Sequence, residues 1–238
     1  MHRWLGFFSA FFAVLLMAAT TRASAITPTF GSFGTLAAAT FGGTGIPNDD
    51  VAITTITDGG NTITLGLSAT QRHLNPALSD NNAGVFSAQV GGDLLDAAPT
   101  FAKWNFDFYA NETGGNYNYS LEYDFDPAAG TDEAFLGRVK FPLSGSTTGQ
   151  DSWNLGMAFL GVTAGGVTAP AFSPFNPNAA GEYSFALVVT NQAGLELGRS
   201  AILVDAAAAV PEPASMTLLA TGLAGLIYRR RKHVQAVK

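Results

Sequence analysis

Polar and apolar residues alternate with period two along most of the chain, and no stretch of its middle shows the 3.6-residue rhythm of an amphipathic helix. The clearest run is Asn116 to Asp126. Tyr117, Tyr119, Leu121, Tyr123 and Phe125 fall on one face, while Asn118, Ser120, Glu122 and Asp124 fall on the other. Upstream, Trp104, Phe106 and Phe108 alternate with Asn105 and Asp107, and Asn111-Glu112-Thr113-Gly114-Gly115 supplies turn residues between the two runs. The pattern predicts a hairpin. Sharing one apolar face requires Phe108 opposite Tyr117, which sets Lys103 opposite Glu122 on the polar side.

A second hairpin is predicted from Val51–Thr57 and Thr62–Ser68 around Asp58-Gly59-Gly60-Asn61. Further strands are expected at 84–90, 135–141, 152–160, 183–190 and 195–204. Residues 30–45, rich in Gly and Ala, read as a linker or edge strand, and 171–182 as an exposed loop. About nine short strands with Gly, Pro and Asn punctuation predict an all-β fold, an antiparallel β-sandwich of jelly-roll or Ig-like type.

The two ends follow other rules. Met1-His2-Arg3, an apolar run from Trp4 to Ala19, and Ala23-Ser24-Ala25 have the layout of a secretory signal helix. Signal peptidase cleavage is expected between Ala25 and Ile26. At the other end, Ala214 to Tyr228 are 15 uncharged residues bounded by Pro213 and Arg229. As a helix they span ~22 Å against a hydrocarbon core of ~30 Å, a short transmembrane helix at best. Arg229, Arg230, Arg231 and Lys232 follow directly and are expected to stay cytoplasmic.

Charge sharpens this division. Seventeen of the 18 acidic residues but only five of the 12 basic ones lie in 26–210, giving that stretch a net charge of −12. Such a body repels nucleic acid and anionic lipid. Cysteine is absent, which excludes disulfides, thiolate metal sites and a Cys nucleophile. His73 is the one histidine of the body, so a multi-histidine metal site is excluded as well.

Val210-Pro211-Glu212-Pro213, the uncharged stretch and the Arg229–Lys232 block together resemble the PEP-CTERM sorting signal of Gram-negative bacteria. The resemblance implies recognition by exosortase, a membrane-embedded transpeptidase, with Pro-Glu-Pro as the recognition element and removal of the span and basic tail. It also implies a cell-surface or biofilm-matrix setting with exopolysaccharide as a partner. Two prolines independently stop a helix from running back and hold Glu212 on extended chain. In the body, "TFGGTGIPNDDVAITT", "ITLGLSATQRHLNPALSDNNAGVFSA" and "YDFDPAAGTDEA" resemble stretches of uncharacterised members of that group, implying a shared fold and no activity.

Candidate chemistry is sparse. Asp124, Asp126, Asp132 and Glu133 place four carboxylates within ten residues around Gly130, either an irregular calcium loop or a solvated strand end and turn. An EF-hand is excluded, because Ala128 and Phe135 occupy two of its ligand positions. No other cofactor is indicated. A Ser-His-Asp hydrolase has only His73 to use and lacks a nucleophile elbow. Trp153, Tyr109 and Tyr183 are the candidate aromatics for binding a sugar.

The expected organisation is a signal peptide over 1–25, a β-sandwich over 26–209 and a sorting segment over 210–238. The expected role is non-enzymatic: an exported, membrane-tethered intermediate that ends as a structural or adhesive surface or matrix protein. The alternatives are a polysaccharide-binding module and, third, a secreted hydrolase.

Overall fold

The computed structural model describes residues 25–208 apart from 75, 97–99 and 144–146. The signal helix, the short transmembrane helix and the sorting residues 210–213 and 229–232 lie outside them, as does Ala23. Among the described residues no helix is long and apolar enough to cross a membrane.

Period-two patterning produces strands throughout. Twelve are formed among the described residues: β1 (Ser32–Gly34), β2 (Val51–Asp58), β3 (Asn61–Gln71), β4 (Ser79–Asp80), β5 (Val85–Gln89), β6 (Trp104–Glu112), β7 (Asn118–Tyr123), β8 (Gly137–Phe141), β9 (Thr148–Trp153), β10 (Val167–Thr168), β11 (Gly181–Thr190) and β12 (Glu196–Ala207). They build two sheets, ordered β1-β2-β3-β6-β9 and β10-β8-β7-β11-β12-β5-β4. All pairs are antiparallel except β5 with β12, which run parallel. The fold is a β-sandwich.

The β2–β3 hairpin forms as its sequence demands. Asp58 faces Asn61, and Gly59 and Gly60 take φ of 55° and 87°, the left-handed pair that a tight two-residue turn requires. The predicted pairing of Trp104–Phe108 with Asn116–Asp126 does not. β6 lies between β3 and β9 in one sheet, whereas β7 lies between β8 and β11 in the other. The two aromatic faces meet a common core from opposite layers instead of sharing one sheet, so Phe108 does not pair with Tyr117, nor Lys103 with Glu122. Glu122 pairs with Arg138 and Ala186.

That core is aromatic. Phe106 of β6 stacks on Phe185 of β11 with ring centroids 4.6 Å apart, and Trp104 packs on Tyr183 and Phe185 at 5.8 and 6.0 Å. Leu65, Leu67, Leu121, Leu187, Ile202 and Val204 fill the space around these rings. Burial at this scale, roughly 1.5–3 kcal/mol per large side chain, substitutes for the absent disulfides.

Three other expectations change in detail. The 152–160 strand stops at Trp153, because Asn154 turns the chain inward and a short 3-10 helix follows at Ala158–Gly161. β8 starts at Gly137 rather than 135: Glu133–Phe135 is a 3-10 turn capped by Asp132, and a Cβ at 137 would collide with the Tyr123 ring. Residues 30–45 contribute edge strand β1 and then a cover. Leu36, Ala39, Phe41 and Ile46 lie over Val51 and Tyr109 on the outer face of the five-stranded sheet. Gly66 permits the close approach, since a Cβ there would sit 2.7 Å from Leu36 Cδ2.

The seven-stranded sheet is covered differently. Ile26 and Leu136 pack on Ala186, Val188 and Ala201 over part of its outer face. The adjoining part is open.

Candidate functional site

Register fixes what lines the open part. Tyr119, Leu121 and Tyr123 point into the core, so Asn118, Ser120 and Glu122 point outward. Across the sheet, Lys140, Ser120, Val188 and Arg199 form one row, and Arg138, Glu122, Ala186 and Ala201 form the next. Small side chains at 120, 186, 188 and 201 keep the floor low, and charged side chains form the walls. The result is a groove of about 710 Å³ bordered by Phe141, Pro142 and Glu196.

The charges in it are paired unevenly. Arg138 donates from Nε (2.9 Å) and Nη2 (2.5 Å) to Oε1 of Glu122, while Oε2 of the same buried carboxylate has no hydrogen-bond partner. Arg199 forks onto Glu196 at 2.7 and 2.8 Å and reaches Glu133 at 2.8 Å. The bond from Arg199 holds the Glu196 carboxyl below its ordinary pKa. Lys140 is exposed and has no ion-pair partner among the described residues.

Three of the four carboxylates of the candidate calcium segment are engaged locally. Asp124 Oδ1 accepts from the Asp126 N–H at 2.7 Å, Asp126 Oδ1 from the Ala128 N–H at 3.0 Å, and Asp132 Oδ1 from the Ala134 N–H at 2.8 Å. Glu133 belongs to the Arg199 cluster in the groove. Asp124 is buried, and desolvation pushes its pKa up to about 6.

Among the described residues, one group of His, Asp and Glu side chains is close enough to hold a metal ion, and it is His73, Asp93 and Asp96. His73 Nε2 lies 3.7 Å from Asp93 Oδ2 and 3.4 Å from Asp96 Oδ1. Arg72 already occupies both oxygens of Asp96 at 2.9 and 3.1 Å while stacking 4.4 Å over the Phe101 ring. The group therefore reads as an ion-pair clamp between two loops. No sequence signal pointed to it, because Asp93 and Asp96 stand about twenty residues from His73 in an unpatterned loop.

The candidate sugar-binding aromatics are elsewhere engaged. Tyr109 and Tyr183 are 4% and 1% exposed, and Trp153 packs edge-on against Phe106, Phe108 and Phe159. None of them borders the groove.

The outer face of the other sheet hides two polar residues of a different kind. Asp107 is fully buried beside Tyr109, with neither oxygen in a formed hydrogen bond. Desolvation pushes its pKa up to about 7; the Ser152 and Thr70 hydroxyls oppose that shift and the Asp151 charge adds to it. Asn154, also fully buried, bonds the backbone of Ala102, Trp104 and Gly156.

Beyond the sandwich, residues 209–232 match the family model of the PEP-CTERM protein-sorting motif. The chain carries a PEP-CTERM sorting motif. Such a motif marks an exported protein processed at the cell envelope, and it implies exosortase as the processing enzyme. The match spans Val210 to Pro213 and Arg229 to Lys232, the residues that carried the resemblance, and it begins after the last strand of the sandwich. No curated protein matches the PEP-CTERM chain, and the resemblance of its body to other proteins with this signal is unsupported.

Proposed function

We propose that this PEP-CTERM protein is a structural or adhesive component of the cell surface or extracellular matrix, and not an enzyme. The motif over 209–232 carries the reading. In it, signal peptidase removes residues through Ala25, and 214–228 tether the body to the outer side of the membrane with Arg229–Lys232 inside. Exosortase then acts at Pro211-Glu212-Pro213. β12 ends at Ala207, so cleavage there leaves every strand among the described residues intact.

A second reading, binding of a polysaccharide, is favoured by the open polar groove on the seven-stranded sheet. It makes adhesion specific instead of replacing it.

The test is fractionation of cells producing wild type or a Pro211→Ala/Glu212→Ala/Pro213→Ala variant. Wild type is expected in the surface and matrix fraction, and the variant is expected to remain with the membrane. Equal partition of the two would overturn the sorting role of the motif.

A further inference from the structure

We propose that the groove on the outer face of the seven-stranded sheet binds a carboxylate-bearing oligosaccharide. The inference rests on the adhesive reading and names its ligand.

Charge distribution is the first argument. Three of the five basic residues in 26–210, Arg138, Lys140 and Arg199, line this one groove. Glu122, Glu133 and Glu196 balance them, so the groove is neutral while the rest of that stretch has two cations against 14 anions. A polyanion is repelled over the remaining surface and meets no net repulsion here.

Unused bonding capacity is the second. Arg199 is already charge-paired with two glutamates, whereas Lys140 is exposed and lacks an ion-pair partner among the described residues. Lys140 is therefore the unpaired cation that a ligand carboxylate can meet. In the neighbouring row, Glu122 is 4% exposed and its Oε2 has no donor. An unsatisfied buried acceptor is unfavourable, and a ligand hydroxyl is the kind of donor that would relieve it.

Shape and lining give the third. The row from Lys140 to Arg199 crosses four strands, about 14 Å at ~4.8 Å per strand, long enough for an oligomer. Ser120, Asn118 and Thr190 add hydroxyl and amide groups, while Pro142 offers an apolar border for the C–H face of a sugar ring. A protein partner would need a broader apolar centre than this groove presents.

The test is titration calorimetry of the full chain in detergent with a polyuronate oligomer, with a neutral glucan oligomer of equal length as control. Wild type is expected to bind the polyuronate and not the neutral oligomer. Lys140→Glu is expected to weaken binding about tenfold or more, since it removes one attraction and adds a repulsion. It should leave thermal unfolding unchanged, because Lys140 is exposed. Absence of polyuronate binding, equal binding of the neutral oligomer, or a Lys140→Glu variant that binds like wild type would each overturn the assignment. Surface adhesion of cells with and without the gene judges the adhesive reading separately. Adhesion that depends on the gene, with no polyuronate bound, sinks the ligand alone, and adhesion independent of the gene sinks the reading beneath it.

Discussion

An Asn154→Ala variant is expected to lose about 3–5 kcal/mol of stability and to melt roughly 10 °C below wild type. Its side chain is fully buried where β9 ends and works as a hub for the chain entering β6. Oδ1 accepts from the Ala102 and Gly156 N–H groups, each at 2.9 Å. Nδ2 donates to the carbonyls of Ala102 at 2.9 Å and Trp104 at 2.7 Å, and to Asn105 Oδ1 at 2.9 Å. Truncation strands backbone donors and acceptors where water has no access, and each stranded group costs about 1–3 kcal/mol. Gly156 leaves little room to adjust, since its Cα already approaches the Thr100 carbonyl too closely for a Cβ. Circular dichroism melts of the two proteins measure the loss. A change below about 1 kcal/mol would mean that the hub is dispensable.

Stability is also expected to fall as pH rises from about 4 to about 7, with Asp107 as the main cause. An aspartate titrates near 3.9 in the unfolded chain, and burial raises Asp107 to about 7 in the folded one. Between those values the native state holds a proton that the unfolded state has released, so rising pH favours unfolding. The contribution is complete below the unfolded value and is lost as pH passes through about 7. Its size is at most about 4 kcal/mol. Asp124, raised to about 6, adds a slope of the same sign. Asp96 and Glu196, whose carboxyls arginines hold below the ordinary range, act oppositely and only in more acidic solution. Asp107→Asn, neutral at every pH, should match wild type near pH 4 and exceed it by several kcal/mol at pH 8, as read from urea unfolding midpoints. Parallel pH profiles for the two proteins would show that Asp107 ionises in the fold without penalty.

The elements of this fold were more legible in the sequence than their neighbours. Alternation at Trp104–Phe108 and Tyr117–Phe125 assigns each side chain a face correctly. It is silent on whether two apolar faces lie side by side in one sheet or opposite each other in two, and the second arrangement buries both. Hairpin β2–β3 was legible in full because its turn chemistry is local. Asn154 was not, since a polar residue in an alternating run reads as outward until Ala102 and Trp104, about fifty residues away, are brought beside it. The groove follows the same logic. Glu122 reads as outward-facing from its strand alone, but Arg138 and Arg199 become its neighbours only through sheet order. The sorting motif is linear and depends on no contact, which is why its residues could be named without the fold.

The intact mass of the protein recovered from its native host, with and without the exosortase-like gene, tests the central claim most directly. With the gene, a chain beginning at Ile26 and ending near Pro211-Glu212-Pro213 is expected, and without it a chain that keeps the C-terminal segment. A surface-fraction protein whose mass still extends to Lys238 in the presence of that gene would contradict sorting by cleavage and make 214–228 a permanent anchor.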